Sequence, residues 1–120
     1  MPAPAPTAAQ LAAVETRLRA LLDPYAATLE WATIYGFPTL RRAGAGAHDW
    51  FAFVKPAARH VSLLLLQLHT DAELRASLSP ALARRLTGRS AFNFATLSDA
   101  EESELRGLLA RAYAAYVPPA

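Results

Sequence analysis

The pattern of hydrophobic residues predicts an α+β domain, with an antiparallel sheet of about four strands packed against helices from the N- and C-terminal ends. Three observations carry this. Leu11, Val14, Leu18, Leu21 and Leu22 near the start, and Leu105, Leu108, Leu109, Ala112 and Tyr116 near the end, recur at helical spacing. The middle holds short apolar runs of strand length, "DWFAFVK" and "HVSLLLLQLH", joined by the turn-like "KPAAR". These runs stand together in a block instead of alternating with helices, which argues against a parallel βαβ arrangement.

Taken in order, residues 1–7 alternate proline with alanine and cannot close helical hydrogen bonds, so they read as a mobile extended tail before a single domain over 8–117. The first amphipathic helix follows. Asp23 before Pro24 is a cap followed by proline at the first helical position, and predicts a second, shorter helix carrying Tyr25, Leu29 and Trp31 up to "YGFP". Gly36 and Pro38 then punctuate the chain. "TLRR", "AGAGAH" and "DWFAFVK" read as strand, loop and strand. In the second of these strands Trp50, Ala52 and Val54 alternate with Phe51 and Phe53, so both faces are apolar and the strand is covered on both sides or meets a partner. "HVSLLLLQLH" reads as its antiparallel neighbour.

"TDAE" at 70–73 is a capping box that opens a short helix, and Ser79 with Pro80 opens another. Gly88 is placed as the glycine ending that second helix. "AFNF" follows as the last strand, with Phe92 and Phe94 on one face and Ala91 and Asn93 on the other. "SDAE" at 98–101 is a further capping box before the long final helix, and "VPP" stops it.

Composition narrows the function classes. The chain has 120 residues, is 53% hydrophobic and 18% charged, and carries a net charge of +2. That suits one globular domain with its own core. Lys55 is the only lysine, and the basic residues are dispersed apart from the doublets Arg41–Arg42 and Arg84–Arg85, which is no nucleic-acid footprint. With no cysteine there is no disulfide, thiolate nucleophile or cysteine-ligated metal centre. No signal-peptide pattern and no apolar run near the roughly 18 residues of a membrane span occur, so the chain reads as soluble and cytoplasmic, without a membrane partner.

Catalytic motifs are missing too. No GxSxG elbow, P-loop or GxGxxG occurs, and the glycines of "AGAGAH" lie between two strands, where they form a hairpin loop and not a phosphate cradle. His48, His60 and His69 have no metal-ligand spacing, and a continuous strand would put His60 and His69 at opposite ends and on opposite faces. Asp99, Glu101, Glu102 and Glu104 form the one acidic cluster, in the first turn of the last helix, where the macrodipole already favours negative charge. A hard cation such as iron would need these oxygens to converge. In "TGRSAFNF" Gly88, Arg89, Ser90 and Asn93 could hold an anion, arginine offering a fork of donors and serine a hydroxyl. Helix termination, core packing and a strand entrance explain the same residues. Lys55, Tyr35 and Trp50 are further candidates near strand ends, and Tyr35 and Trp50 are equally ordinary as core or interface rings.

The succession "YGFPTL", "WFAFVKPAARHVSLLLLQL" and "ELRASLSPALARRLTGRSAFNF", with a final helix ending in "AYAAY", resembles the YdhG-like family (domain of unknown function 1801) over about residues 30–116. Tyr35, Gly36, Pro38, Lys55, His60, Gly88, Ser90 and Phe94 occupy its motif positions. Arg89 stands where the family commonly has lysine, and Ala91 where it often has cysteine. The resemblance implies a compact bacterial α+β domain similar to frataxin in architecture, a group sometimes described as intracellular iron chaperones, and it lends no catalytic residue. The resulting expectation is a cytoplasmic, non-catalytic domain, without a resident cofactor, that binds a small anion or a protein partner through Tyr35, Trp50, Lys55, His60, Arg89, Ser90 and Asn93. The alternatives are iron handling through Asp99, Glu101, Glu102 and Glu104, or a module that forms a homodimer through the doubly apolar strand at 49–55.

Overall fold

The structure, a computed structural model, describes residues 5–46 and 48–117; the first four residues of the expected tail and the prolines of "VPP" lie outside these. A six-stranded antiparallel sheet carries helices on one face, which is the α+β arrangement the sequence predicts, with more strands than expected.

Helix α1 (Ala8–Leu22) begins where Thr7 accepts a hydrogen bond from the Gln10 N–H while the Gln10 side chain accepts from Thr7, so the last residue assigned to the tail is a fixed cap. Val14, Leu18, Leu21 and Leu22 form its buried stripe. The expected second helix does not develop. Asp23–Ala27 tightens into one 3-10 turn, where the Tyr25 C=O takes both the Thr28 and Leu29 N–H groups, and the chain leaves as strand β1 (Glu30–Ile34). Trp31 therefore lies on a strand.

Strand β1 returns as β2 (Phe37–Arg41) through the two-residue turn Tyr35–Gly36, with Ile34 opposite Phe37. Both turn residues have positive φ, 53° and 81°, as the right-handed twist of a tight hairpin requires. Strands β3 (Ala52–Pro56), β4 (Val61–Leu65), β5 (Leu86–Thr87) and β6 (Ala91–Phe94) complete the sheet in the order β1-β2-β3-β4-β6-β5. The run "HVSLLLLQLH" is a strand only to Leu65 and then turns into helix α2 (Leu66–Thr70). The ladder with β3 ends at Ala52 opposite Leu65, and one further bond, from the Leu66 N–H to the Phe51 C=O, closes it as the helix begins.

Helix α3 (Ala72–Ala76) is capped by Asp71, whose carboxylate accepts from Leu74 N–H, not by Thr70. Helix α4 (Pro80–Arg85) is capped by Ser79 as expected, and α5 (Asp99–Tyr116) opens with the Ser98–Glu101 capping box. Gly88 does not end α4, which stops at Arg85. It starts the tight β5–β6 loop with φ 66°.

Period-2 alternation divides the sheet into two faces. Leu40, Ala52, Val54, Val61, Leu63, Leu65, Phe92 and Phe94 join the stripes of α1 and α5 in the main core. Ile34, Trp50 and Phe53 form a second, smaller cluster, with Phe37, Leu64 and Leu66 packed on it. Strand β3 is third of six, so its two apolar faces are filled by these two clusters within one chain. That corrects the expectation that the stretch 49–55 meets a second copy.

Candidate functional site: the helix-free face

The second face of the sheet carries a polar row set by strand register. Lys55 pairs with Ser62 across β3–β4, and Ser62 pairs with Asn93 across β4–β6, so all three lie on one face. The Ser62 hydroxyl donates to Asn93 Oδ1 at 2.6 Å, and Asn93 Nδ2 donates to Thr87 Oγ1 at 3.1 Å. These bonds leave Ser62 buried at no polar cost and orient the Asn93 amide.

Beside this row stands an aromatic group. Phe37 and Phe53 stack with centroids 5.8 Å apart, Trp50 meets Phe53 edge-on at 5.0 Å, and Lys55 Nζ lies 5.7 Å from the Phe37 ring centre. Lys55 is exposed and has no acidic partner among the described residues. Its charge is offered to solvent above a ring.

The remaining sequence candidates divide between places. Trp50 is buried in the second cluster and backs the face without being open to it. His60 is half-buried at the same end of the sheet as Lys55, its C=O accepting from Ala57 N–H in the β3–β4 turn. Tyr35 sits on the hairpin turn, 62% exposed, its hydroxyl 3.2 Å from His48 Nδ1. Arg89 and Ser90 belong to the β5–β6 loop at the other end of β6, where the Ser90 C=O accepts from Leu65 N–H. Asn93, the β6 residue level with Lys55, is three residues beyond Ser90 and four beyond Arg89, about 10–13 Å at the usual rise. Lys55 and Asn93 thus lie in one row with Ser62 between them, while Arg89 and Ser90 belong to the turn that starts β6.

The acidic cluster is spread over separate partners. Arg17 bridges α1 to α5, with Nη2 3.1 Å from Asp99 and Nε 3.1 Å from Glu102. Glu101, 7% exposed, accepts from Ser98 N–H at 3.0 Å and from Arg85 Nε at 2.9 Å. Glu104 caps the start of α4 by accepting from the N–H and hydroxyl of Ser79. No group of three acidic or histidine side chains among the described residues is placed to hold a metal ion. Burial alone would push the Glu101 carboxyl up, but the Ser98 N–H and the Arg85 guanidinium outweigh it and hold the carboxyl below its ordinary value. The hydrogen bond from Arg17 does the same for Glu102.

A surface cavity of about 750 Å³ lies at this seam, lined among others by Arg84, Arg85, Glu101 and Glu104. The ion pair between the buried Glu101 carboxylate and the partly exposed Arg85 guanidinium explains the cavity's polar lining as the joint between α4 and α5. Sequence reading missed Phe37, Ser62 and Thr87 as parts of the helix-free face. The β3–β4 alternation carried a signal for Ser62, a polar residue just before the leucine run, whereas Phe37 lies ahead of the "TLRR" stretch that marked β2, and Thr87 depends on β5, a strand that the sequence did not reveal.

Among the described residues no helix is long and apolar enough to cross a membrane. Compared with protein-family models, curated proteins and solved structures, the chain shows no match.

Proposed function

We propose that this protein is a non-catalytic binding domain that takes a small anionic ligand with an apolar body on the helix-free face of its sheet. The observation that carries the reading is the juxtaposition of Lys55, without an acidic partner, with the Phe37–Phe53 stack and the Ser62–Asn93 row. An exposed ammonium over a ring attracts a carboxylate or phosphate, the half-buried Phe37 ring offers apolar area, and the Asn93 amide adds orientation, with the buried Phe53 and Ser62 holding that ring and that amide from beneath. Ionic recognition here is that of a point charge, not the bidentate fork of an arginine.

The YdhG-like resemblance agrees with this place, since Lys55 and His60 are motif positions at one end of the sheet. The iron reading draws no support from Asp99, Glu101, Glu102 and Glu104, whose oxygens are engaged by Arg17, Arg85, Ser98 and Ser79.

Thermal-shift titration with benzoate and naphthoate tests the reading. Stabilisation that grows with naphthoate and disappears in Lys55→Gln supports it. Equal shifts in the wild type and Lys55→Gln, or stabilisation by ferrous iron alone, would overturn it.

A further inference from the structure

The free edge of β1 points to a second binding surface, independent of the helix-free face. Ile34 and Phe37 flank a two-residue turn and so exchange both backbone hydrogen bonds. Alternation then directs the N–H and C=O of Ala32 and Glu30 toward β2, and those of Trp31 and Thr33 away from it. Pro38 confirms the phase. It stands opposite Thr33, a position where the missing N–H removes no β1–β2 bond.

β1 is an end strand of the sheet, so the outward groups of Trp31 and Thr33 have no partner strand among the described residues. The other edge is blunted differently. β5 is only two residues long, and its hairpin partner β6 is held by β4. β1 by contrast is five residues without lysine, proline or bulge, devices that discourage edge pairing, and its one charge, Glu30, is paired with Arg41. Trp31 is 45% exposed on it, one of the two large apolar side chains that the described surface exposes so far.

We propose that a second copy of this chain pairs with β1 edge to edge, antiparallel, about a twofold axis at Ala32. This register is self-complementary. Trp31 exchanges both backbone bonds with the partner's Thr33, and Thr33 does the same with the partner's Trp31, so each outward group named above is satisfied. Trp31 and Thr33 share a face, and the indole gains the partner's Thr33 as a direct cross-strand neighbour. Charges do not clash. Glu30, already bonded to Arg41, falls opposite the partner's Ile34 and not opposite another carboxylate. The product is a continuous antiparallel sheet through both copies.

Light scattering across a wide concentration range, with wild type, Trp31→Lys and Thr33→Lys, reads the oligomeric state. Both positions are exposed, so the variants keep the fold. The expected result is twice the monomer mass for the wild type and the monomer mass for each lysine variant. Register is read separately with Ala32→Cys, a unique thiol in a chain without cysteine. A non-hydrogen-bonded pair on the axis brings the two Cα atoms to about 4.5 Å, inside the range a disulfide spans. Complete oxidation to a covalent dimer for Ala32→Cys, but not for Ser103→Cys on α5, supports the pairing. A monomeric wild type, a dimer that survives both lysine substitutions, or equal crosslinking at positions 32 and 103 would overturn it, as would a wild-type monomer whose β1 is occupied only by another protein.

Discussion

At the scale of single residues, the side chains that matter most are those whose conformation or charge needs a partner. Tyr35 holds a left-handed backbone at φ 53° that a β-carbon disfavours, while its ring is mostly in solvent. Tyr35→Asn, the residue that tight hairpin turns prefer before glycine, should raise stability by about 0.5–1 kcal/mol, read as a higher melting temperature. An unchanged or lower value would mean that the Tyr35–His48 contact outweighs the backbone cost. Glu101 is the opposite case, a buried charge satisfied from two sides. Glu101→Ala leaves Arg85 and the Ser98 N–H without their acceptor and should cost about 2–3 kcal/mol in denaturant unfolding. The sequence showed Glu101 as half of a capping box, which is why its local role was legible. Its bond to Arg85 was not, because that contact depends on how α4 meets α5.

At the scale of elements, local signals were most informative where the chain caps or turns. Ser79 and Ser98 cap α4 and α5 as their sequence patterns indicate, and Ser98→Ala should cost about 1 kcal/mol in chemical unfolding. The long stripes of α1 and α5 were equally legible, since a helix that buries one face repeats its signal over several turns. Short elements were not. Residues 23–34 offered a cap-and-proline signal too brief to sustain a helix, and tertiary pairing with β2 made 30–34 a strand. The leucine run after His60 has no periodicity that marks the change at Leu65, because strand and helix there are both apolar. The helix-free face was half visible for the same reason. Lys55 and Asn93 were identified as candidates, but joining them through Ser62 required the β3–β4–β6 register, and separating Arg89 from them required the direction of β6.

At the scale of the whole molecule, one sheet divides a large core from a small aromatic cluster, and ion pairs tie the terminal helix to the rest. Glu101 and Glu102 both titrate below the ordinary carboxylate value of 4.5 in the folded chain. Their contribution is therefore complete above that value and is lost as pH falls through the lower folded values. Melting temperature should be flat just above the carboxylate range and drop on acidification below it, with a smaller drop in Glu101→Gln. A drop of the same size in that variant would place the acid sensitivity elsewhere. Amide chemical-shift mapping during titration with naphthoate reads ligand binding on the sheet face opposite α1 and α5 most directly. Perturbations are expected to concentrate at Phe37, Phe53, Lys55, Ser62 and Asn93, and to be lost in Lys55→Gln. Perturbations confined to Arg84, Arg85 and the start of α5, or to the Arg89 loop, would contradict it.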